Sequence, residues 1–369
     1  MNYREKHSHK WAKILKEAFR RAQLVNRLHD EGKTDDAKKE FEYLYGGDFR
    51  DQTPEKIFPG LKLMAPYWKA VEGEMECRLK TMLEFSGNMK SIPDEPQYKS
   101  DLRKFYQMFI DDVKEILNRD KMLDFKYAQK YLEGGFDVLH LPDNWDVALR
   151  PMKERWEADL LTGKVNMELL ADWFVFCLRG IVAYDYNLIK QALFVSTILK
   201  NHGEEALHKV FDDSKEEFGW RVSRLFYVDM LPRAGIEGAD LMRMGRYSMF
   251  CDQDLVSETI MPPEEEAMSK PQIKFTKFFN CQEYSIFATI AEHIKVPLKK
   301  IGIGVCIYCE EHARKTTKLF VPPVMKPVLK MEKALGLEDD ICLCKTMLYP
   351  EDDMERFMDA QDKVFYYQP

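Results

Sequence analysis

The strongest constraint on the fold is a long apolar stretch near the middle of the chain, ADWFVFCLRGIVAYDYNLIKQALFVSTILK (171–200). Charged residues interrupt it at four positions: Asp172, Arg179, Asp185 and Lys190. No charge-free run therefore approaches the about 18 residues that a membrane span requires. A helix that is apolar on most of its surface is buried inside the protein. The stretch predicts a buried helix, and no membrane partner is expected.

Helical patterns run through most of the first 230 residues. They predict a helical hairpin over 9–45 and two long helices over about 165–201 and 203–230, separated by Gly203. Shorter helical patterns follow the hairpin at 54–87, 98–118 and 121–134. We divide the chain into a helical N-terminal region (1–150) and an α+β domain (151–369) whose C-terminal part is rich in cysteine.

Strand-like patterns appear only after residue 271. IKFTKFFN (273–280) alternates in polarity, and VLKMEKAL with ICLCKTML predicts an antiparallel pair that turns at GLEDD. The expected fold class is therefore α+β, with a mainly α-helical N-terminal and central part. A small C-terminal antiparallel sheet is expected to carry a cysteine cluster.

Charge and targeting patterns restrict the expected partners. A net charge of −7 disfavours sequence-independent nucleic-acid binding, which needs a basic surface. The opening residues MNYREKHSHKW contain no apolar segment of a signal peptide, so we expect a cytoplasmic protein with reduced cysteines. The expected partners are a small-molecule substrate and, as an open alternative, a second copy of the chain in a homodimer. Nucleic acid is not expected.

Five of the eight cysteines lie within residues 281–344, and their spacing favours metal binding. A C-x-x-C pair (Cys306, Cys309) and a C-x-C pair (Cys342, Cys344) could supply four thiolates to zinc or to an iron–sulfur cluster. The alternative is that these cysteines are small buried side chains of a core. The sequence ICLCKTML has no glycine or turn of the kind that zinc knuckles use, so both interpretations stay open.

Five segments within residues 165–350 follow one another in a recognisable order: LKNHGEEALHKVF, FFNCQEY with Cys281 and Tyr284, CEEHA with Cys309, FVPP, and EDDICLC with Cys342. In their order and rough spacing they resemble the L-2-amino-thiazoline-4-carboxylic acid hydrolase-like family. His312 departs from the pattern, because the family tends to have an acid there. Cys306 and Cys344 are additional to the pattern, and the first 150 residues have no counterpart in it.

The resemblance implies a hydrolase that acts on a non-peptide C–N bond, or a C–S bond, of a small substrate such as a heterocycle. Such chemistry needs a nucleophile and a general acid for the leaving heteroatom. The candidate catalytic residues are Cys281, Cys309, His312 and Glu311, with Glu310 as an alternative acid. The candidate substrate-binding residues are Tyr184, Asp185, Tyr186 and Tyr284.

A function of another class remains open: a non-catalytic accessory or sensor protein that holds zinc or an iron–sulfur cluster. Cys281 separates the two interpretations, because the family pattern includes it and the metal-knuckle pattern does not. If a metal or a protonated His312 lies beside Cys281, the pKa of its thiol should be lowered.

Overall fold

The computed structural model describes residues 3–47, 58–87, 96–119, 144–236, 240, 255–260, 272–278, 281–320, 325–333 and 342–350. Helices make up most of these residues, so the predicted mainly helical character is confirmed. The helix predicted over 121–134 and the turn at GLEDD lie outside the described residues. Within the described ranges, no helix has both the length and the apolar composition needed to cross a membrane.

Most of the helices follow the predicted patterns, but the long helix that contains Cys306 and Cys309 was not predicted. Their bounds are α1 (Tyr3–Asp30), α2 (Thr34–Gly46), α3 (Leu61–Phe85), α4 (Pro96–Arg119), α5 (Trp145–Thr162), α6 (Met167–Arg224), α7 (Leu231–Arg233), α8 (Gln282–Ile294) and α9 (Leu298–Phe320). One π-helical turn, Leu225–Met230, follows α6 directly. Helix α6 is interrupted at Gly203, whose φ of 86° and ψ of 178° are not helical, so the predicted break between two long helices is confirmed.

Four strands form one antiparallel sheet in the order β1-β2-β4-β3. Their bounds are β1 (Leu255–Ile260), β2 (Gln272–Phe278), β3 (Met325–Lys333) and β4 (Cys342–Pro350). In the register of β2 and β4, the last residue of β2, Phe278, lies opposite the first residue of β4, Cys342. The sheet therefore brings the start of β4 to the point where the chain leaves β2 toward Cys281.

The chain forms two compact units that interleave along the sequence. The first unit comprises Met1–Glu76, Leu102–Leu188 and Phe226–Cys251, and the second comprises Cys77–Asp101, Ile189–Leu225 and Asp252–Pro369. The first unit extends past the boundary predicted at residue 150, because it includes α5 and the first part of α6 together with the N-terminal helices. The boundary at residue 150 stays a prediction about which parts of the chain fold independently.

Aromatic side chains fill the core of the first unit. The ring of Trp156 lies 6.0 Å from that of Phe41 and 6.3 Å from that of Trp173, both edge to face. A Cβ atom at Gly180 would lie 2.4 Å from the Cβ atom of Trp68. Helices α3 and α6 therefore approach each other closely because Gly180 has no side chain.

In the second unit, α8 packs against α9, and α9 packs against the part of α6 that follows Gly203. Tyr308 of α9 is almost fully buried, and its ring lies 6.0 Å from Phe211 and 4.8 Å from Phe218. The hydroxyl of Tyr308 is hydrogen-bonded to that of Ser214. These contacts fix the face of α9 that points toward α6.

Candidate functional site

Cys281 stands at the amino-terminal end of α8, in an extended conformation with φ −139° and ψ 125°. The backbone N–H of Tyr284 donates a hydrogen bond to its Sγ atom at 3.5 Å. The carbonyl oxygen of Cys281 accepts hydrogen bonds from the N–H and the hydroxyl of Ser285. The sulfur therefore occupies the end of a helix, where unpaired N–H groups favour negative charge.

Two further thiols lie close enough to Cys281 to affect its ionisation, those of Cys306 and Cys342. Cys342 reaches this place through the β2–β4 register, and Cys306 through the packing of α9 against α8. The structure thus groups one cysteine of each predicted pair with Cys281. All six cysteines whose side chains are described are free thiols.

The surroundings of Cys281 disfavour its thiolate. Burial is the largest cause that raises the pKa of this thiol well above its usual range, and the charges of Glu283, Cys342 and Cys306 raise it further. The hydrogen bond from the N–H of Tyr284 acts in the opposite direction. A lowered pKa, which a metal or a protonated His312 beside the thiol would cause, stays a prediction, because the charges that the described residues place near this thiol are negative.

A buried ion pair lies beside this thiol. Arg78 of α3 donates hydrogen bonds of 2.6 Å and 3.3 Å to the two carboxylate oxygens of Glu283. The side chain of Arg78 is 1% exposed and that of Glu283 is 17% exposed. The guanidinium also lies over the rings of Phe218 and Tyr308, at 5.4 Å and 5.7 Å from their centroids. Glu283 therefore has a fixed position next to Cys281.

Arg78 was not among the predicted site residues, although one local signal in the sequence points to it. Met75 and Met82, one helical turn before and one turn after Arg78, are both buried. A cation in the apolar stripe of a helix is seldom buried unless it has a partner. That pattern predicts a buried ion pair, but not the identity of a partner more than 200 positions away in the sequence.

The acidic residues of α9 lie on different sides of that helix. A Cβ atom at Gly219 would lie 3.6 Å from the Cβ atom of Glu311, so Glu311 points toward α6. Glu310 follows Cys306 by four residues and therefore shares its face of the helix. Both carboxylates are buried, whereas His312 is only partly buried. Of the two acids, Glu310 lies on the side of Cys306.

The predicted metal ligands do not form a metal site among the side chains that the structure describes. Within that part of the chain, no group of three His, Cys, Asp or Glu residues is arranged to hold a metal ion. Cys306 and Cys309 lie inside α9 and not in a knuckle. The side chain of Cys344, the fourth predicted ligand, lies outside the described residues. Binding of zinc or of an iron–sulfur cluster by these cysteines therefore stays a prediction.

The predicted substrate-binding residues lie in different units. Tyr284 follows Cys281 on α8 and is partly buried. Tyr184 and Tyr186 belong to the first unit, where their rings pack edge to face against Trp68 and Tyr106. Asp185, between them, is buried as well. That these three residues line a substrate pocket stays a prediction.

Comparisons with protein-family models, curated proteins and solved structures found no match to this chain. The resemblance to the hydrolase-like family therefore stays a prediction based on the quoted motifs.

Proposed function

We propose that the protein is a hydrolase that cleaves a non-peptide C–N bond, or a C–S bond, of a small substrate such as a heterocycle. In this proposal Cys281 is the nucleophile. The observation that carries it is the position of Cys281 at the start of α8, with the N–H of Tyr284 on its sulfur and Glu283 fixed beside it by Arg78. The residue keeps partial exposure, which a nucleophile needs.

The proposed reaction has two steps. The sulfur of Cys281 forms a bond to the electrophilic carbon, and the electron pair of the breaking bond leaves on the heteroatom, which takes a proton from a general acid. Water then adds to the same carbon and gives a proton to the carboxylate that the general acid has become. The bond between that carbon and the sulfur of Cys281 breaks, its electron pair returns to the sulfur, and the sulfur recovers its proton from the base. The N–H groups at the start of α8 favour the negative charge that develops during both additions.

The resting thiol requires a base in this mechanism, because the raised pKa of Cys281 keeps it protonated at neutral pH. We assign this role to His312 and the role of general acid to a carboxylic acid of α9. Glu311 is the acid that the sequence suggests, and Glu310 is the one on the same face as Cys306. Cys309, one helical turn after Cys306, is the alternative nucleophile.

The proposed setting is a reducing cytoplasm, because all six described cysteines are free thiols and the nucleophile must stay reduced. The proposal also takes the C-terminal sheet as part of the site, since β4 contributes Cys342.

The test is an assay of purified protein with a panel of cyclic amidines and thiazolines between pH 6 and pH 10. We expect turnover that increases with pH and is lost in Cys281→Ala. The control is Cys177→Ala, which truncates a buried thiol of the first unit and should keep activity. No turnover at any pH, or full turnover by Cys281→Ala, would contradict the proposal.

A second candidate is a non-catalytic accessory or sensor protein that binds zinc or an iron–sulfur cluster. The observation that favours it is the grouping of Cys281, Cys306 and Cys342, since thiolates are the preferred ligands of these metals. Metal analysis and an anaerobic absorption spectrum of the isolated protein test it. Stoichiometric metal that is lost in Cys306→Ser, together with absence of turnover, would select this candidate.

A further inference from the structure

The first unit contains a pocket of about 190 Å³ that plays no part in the chemistry proposed above. It lies where α2, α3, α5 and α6 meet the short segment after the π-helical turn. Apolar and aromatic side chains form part of its lining: Tyr45, Pro66, Trp145, Leu149 and Trp173. Such a lining suits a flat apolar group.

Basic side chains outnumber acidic ones in the same lining. Four are present, Lys62, Arg150, Lys153 and Arg233, against the single carboxylate of Asp146. The carboxylate of Asp146 is already used, because Arg233 donates a hydrogen bond to it at 2.7 Å.

Lys62 is paired with Asp240, so two of the four cations have partners. Among the residues that the structure describes, Arg150 and Lys153 form no ion pair. The pocket therefore has positive charge that its own acids do not neutralise.

One buried donor also lacks an acceptor at this place. Trp173 is 2% exposed, and its indole N–H has no hydrogen-bond partner in the described part of the chain. A buried tryptophan usually has such a partner. The hydroxyl of Tyr45 lies beside the carboxylate of Glu157: burial, then the charge of that carboxylate and a hydrogen bond to it raise the pKa of Tyr45, so this hydroxyl keeps its proton.

The backbone at the edge of the pocket is shaped around Lys153. Gly235 has a φ of +67°, and a Cβ atom there would lie 3.0 Å from the Nζ atom of Lys153. The ammonium group therefore lies directly over a residue without a side chain. The π-helical turn Leu225–Met230 comes shortly before this glycine, and such turns are frequent at functional sites.

We infer that this pocket binds a small organic anion, a carboxylate carried on a planar apolar body. The carboxylate would form ion pairs with Lys153 and Arg150 and accept a hydrogen bond from the indole N–H of Trp173. The planar body would lie among the aromatic side chains of the pocket. The pocket is smaller than the roughly 300–1,000 Å³ typical of sites for drug-sized ligands, which restricts the ligand to a small acid.

The experiment uses benzoate as the probe, with benzamide as its uncharged analogue and acetate as the acid without a planar body. Binding to the full chain is measured by saturation-transfer NMR and by titration of tryptophan fluorescence. We expect benzoate to bind at least about tenfold more tightly than either analogue, because charge-assisted hydrogen bonds are about twice as strong as neutral ones.

Variants of the lining residues test whether benzoate binds in this pocket. Lys153→Met should weaken the binding of benzoate about tenfold without changing the binding of benzamide, and Trp173→Phe should weaken the binding of benzoate by removing one hydrogen-bond donor. Lys39→Met is the matched control, because this exposed lysine of α2 lies outside the pocket and should leave the affinity unchanged. If Lys153→Met does not fold, Arg150→Met replaces it.

Three outcomes would overturn the inference. They are no binding of benzoate, equal affinity for all three probes, and binding that survives both Lys153→Met and Arg150→Met unchanged. The last result would place benzoate elsewhere on the protein.

Discussion

Arg78 and Glu283 are separated by 205 positions in the sequence, and two hydrogen bonds of 2.6 Å and 3.3 Å join their side chains. The pair ties α3 to the first turn of α8 within the second unit. Because Cys281 lies two residues before Glu283, the same pair also determines the charge next to the candidate nucleophile.

Replacing one member of this pair should strongly destabilise the protein. Arg78→Met leaves the carboxylate of Glu283 without its cation, and breaking a buried pair in this way costs about 3–5 kcal/mol of unfolding free energy. Urea unfolding followed by circular dichroism measures the loss. Arg78→Met combined with Glu283→Leu should recover part of it, because no uncompensated charge is left.

An exposed pair of the same type provides the control. Arg221 pairs with Glu84 and Glu217, and all three side chains are at least a third exposed. Arg221→Met should therefore cost no more than about 1 kcal/mol. Equal losses for Arg78→Met and Arg221→Met would contradict the importance assigned to burial.

Cys281 should react slowly with iodoacetamide at neutral pH. Only the thiolate reacts, and the raised pKa of Cys281 keeps its population low until the pH exceeds the usual thiol range of about 8.5. Mass spectrometry of the labelled protein between pH 6 and pH 10 gives the rate at this position. The same cysteine in urea-unfolded protein is the control and should react faster at every pH below 9. Faster labelling in the folded protein would show a positive charge at the sulfur.

Tyr308→Phe should lower the free energy of unfolding at neutral pH, and the difference from the wild type should become smaller at alkaline pH. The variant removes the hydrogen bond to Ser214, which costs about 1 kcal/mol. Burial raises the pKa of Tyr308, so above pH about 10 the tyrosine ionises in the unfolded chain and not in the folded protein. The stability of the wild type therefore decreases with rising pH, and its advantage over Tyr308→Phe shrinks.

Urea unfolding at pH 7 and pH 10.5 measures this difference. Ser214→Ala is the control, because it removes the same hydrogen bond and keeps the tyrosine, so its deficit should stay nearly constant. A deficit of Tyr308→Phe that is the same at both pH values would contradict the raised pKa.

Gly180→Ala should destabilise the first unit. The added methyl group would lie 2.4 Å from the Cβ atom of Trp68 and 3.2 Å from its carbonyl carbon, so the two helices would have to separate. Forcing a group into a packed core costs about 1–3 kcal/mol. Gly46→Ala, at the end of α2, meets no atom within 4 Å and should be neutral or slightly stabilising. Thermal unfolding distinguishes the two, and equal melting temperatures would disprove the close approach.

Features that depend on neighbouring residues could be predicted from the sequence. The hairpin of α1 and α2, the helix α4 and the interruption of α6 at Gly203 all follow from hydrophobic spacing and from glycine positions. The interleaving of the two units could not be predicted in this way, because it depends on which distant segments pack together.

The candidate site likewise has one part that the sequence predicts and one part that it does not. The sequence identifies the candidate cysteines, because Cys281, Cys306 and Cys342 all lie in the motifs described above. Only the tertiary structure decides that these three come together, because the grouping depends on the register of β2 against β4 and on the packing of α9 against α8. The tertiary structure also brings Arg78 to this site and partly buries Cys281, and burial penalises a charged thiolate whatever the local motif.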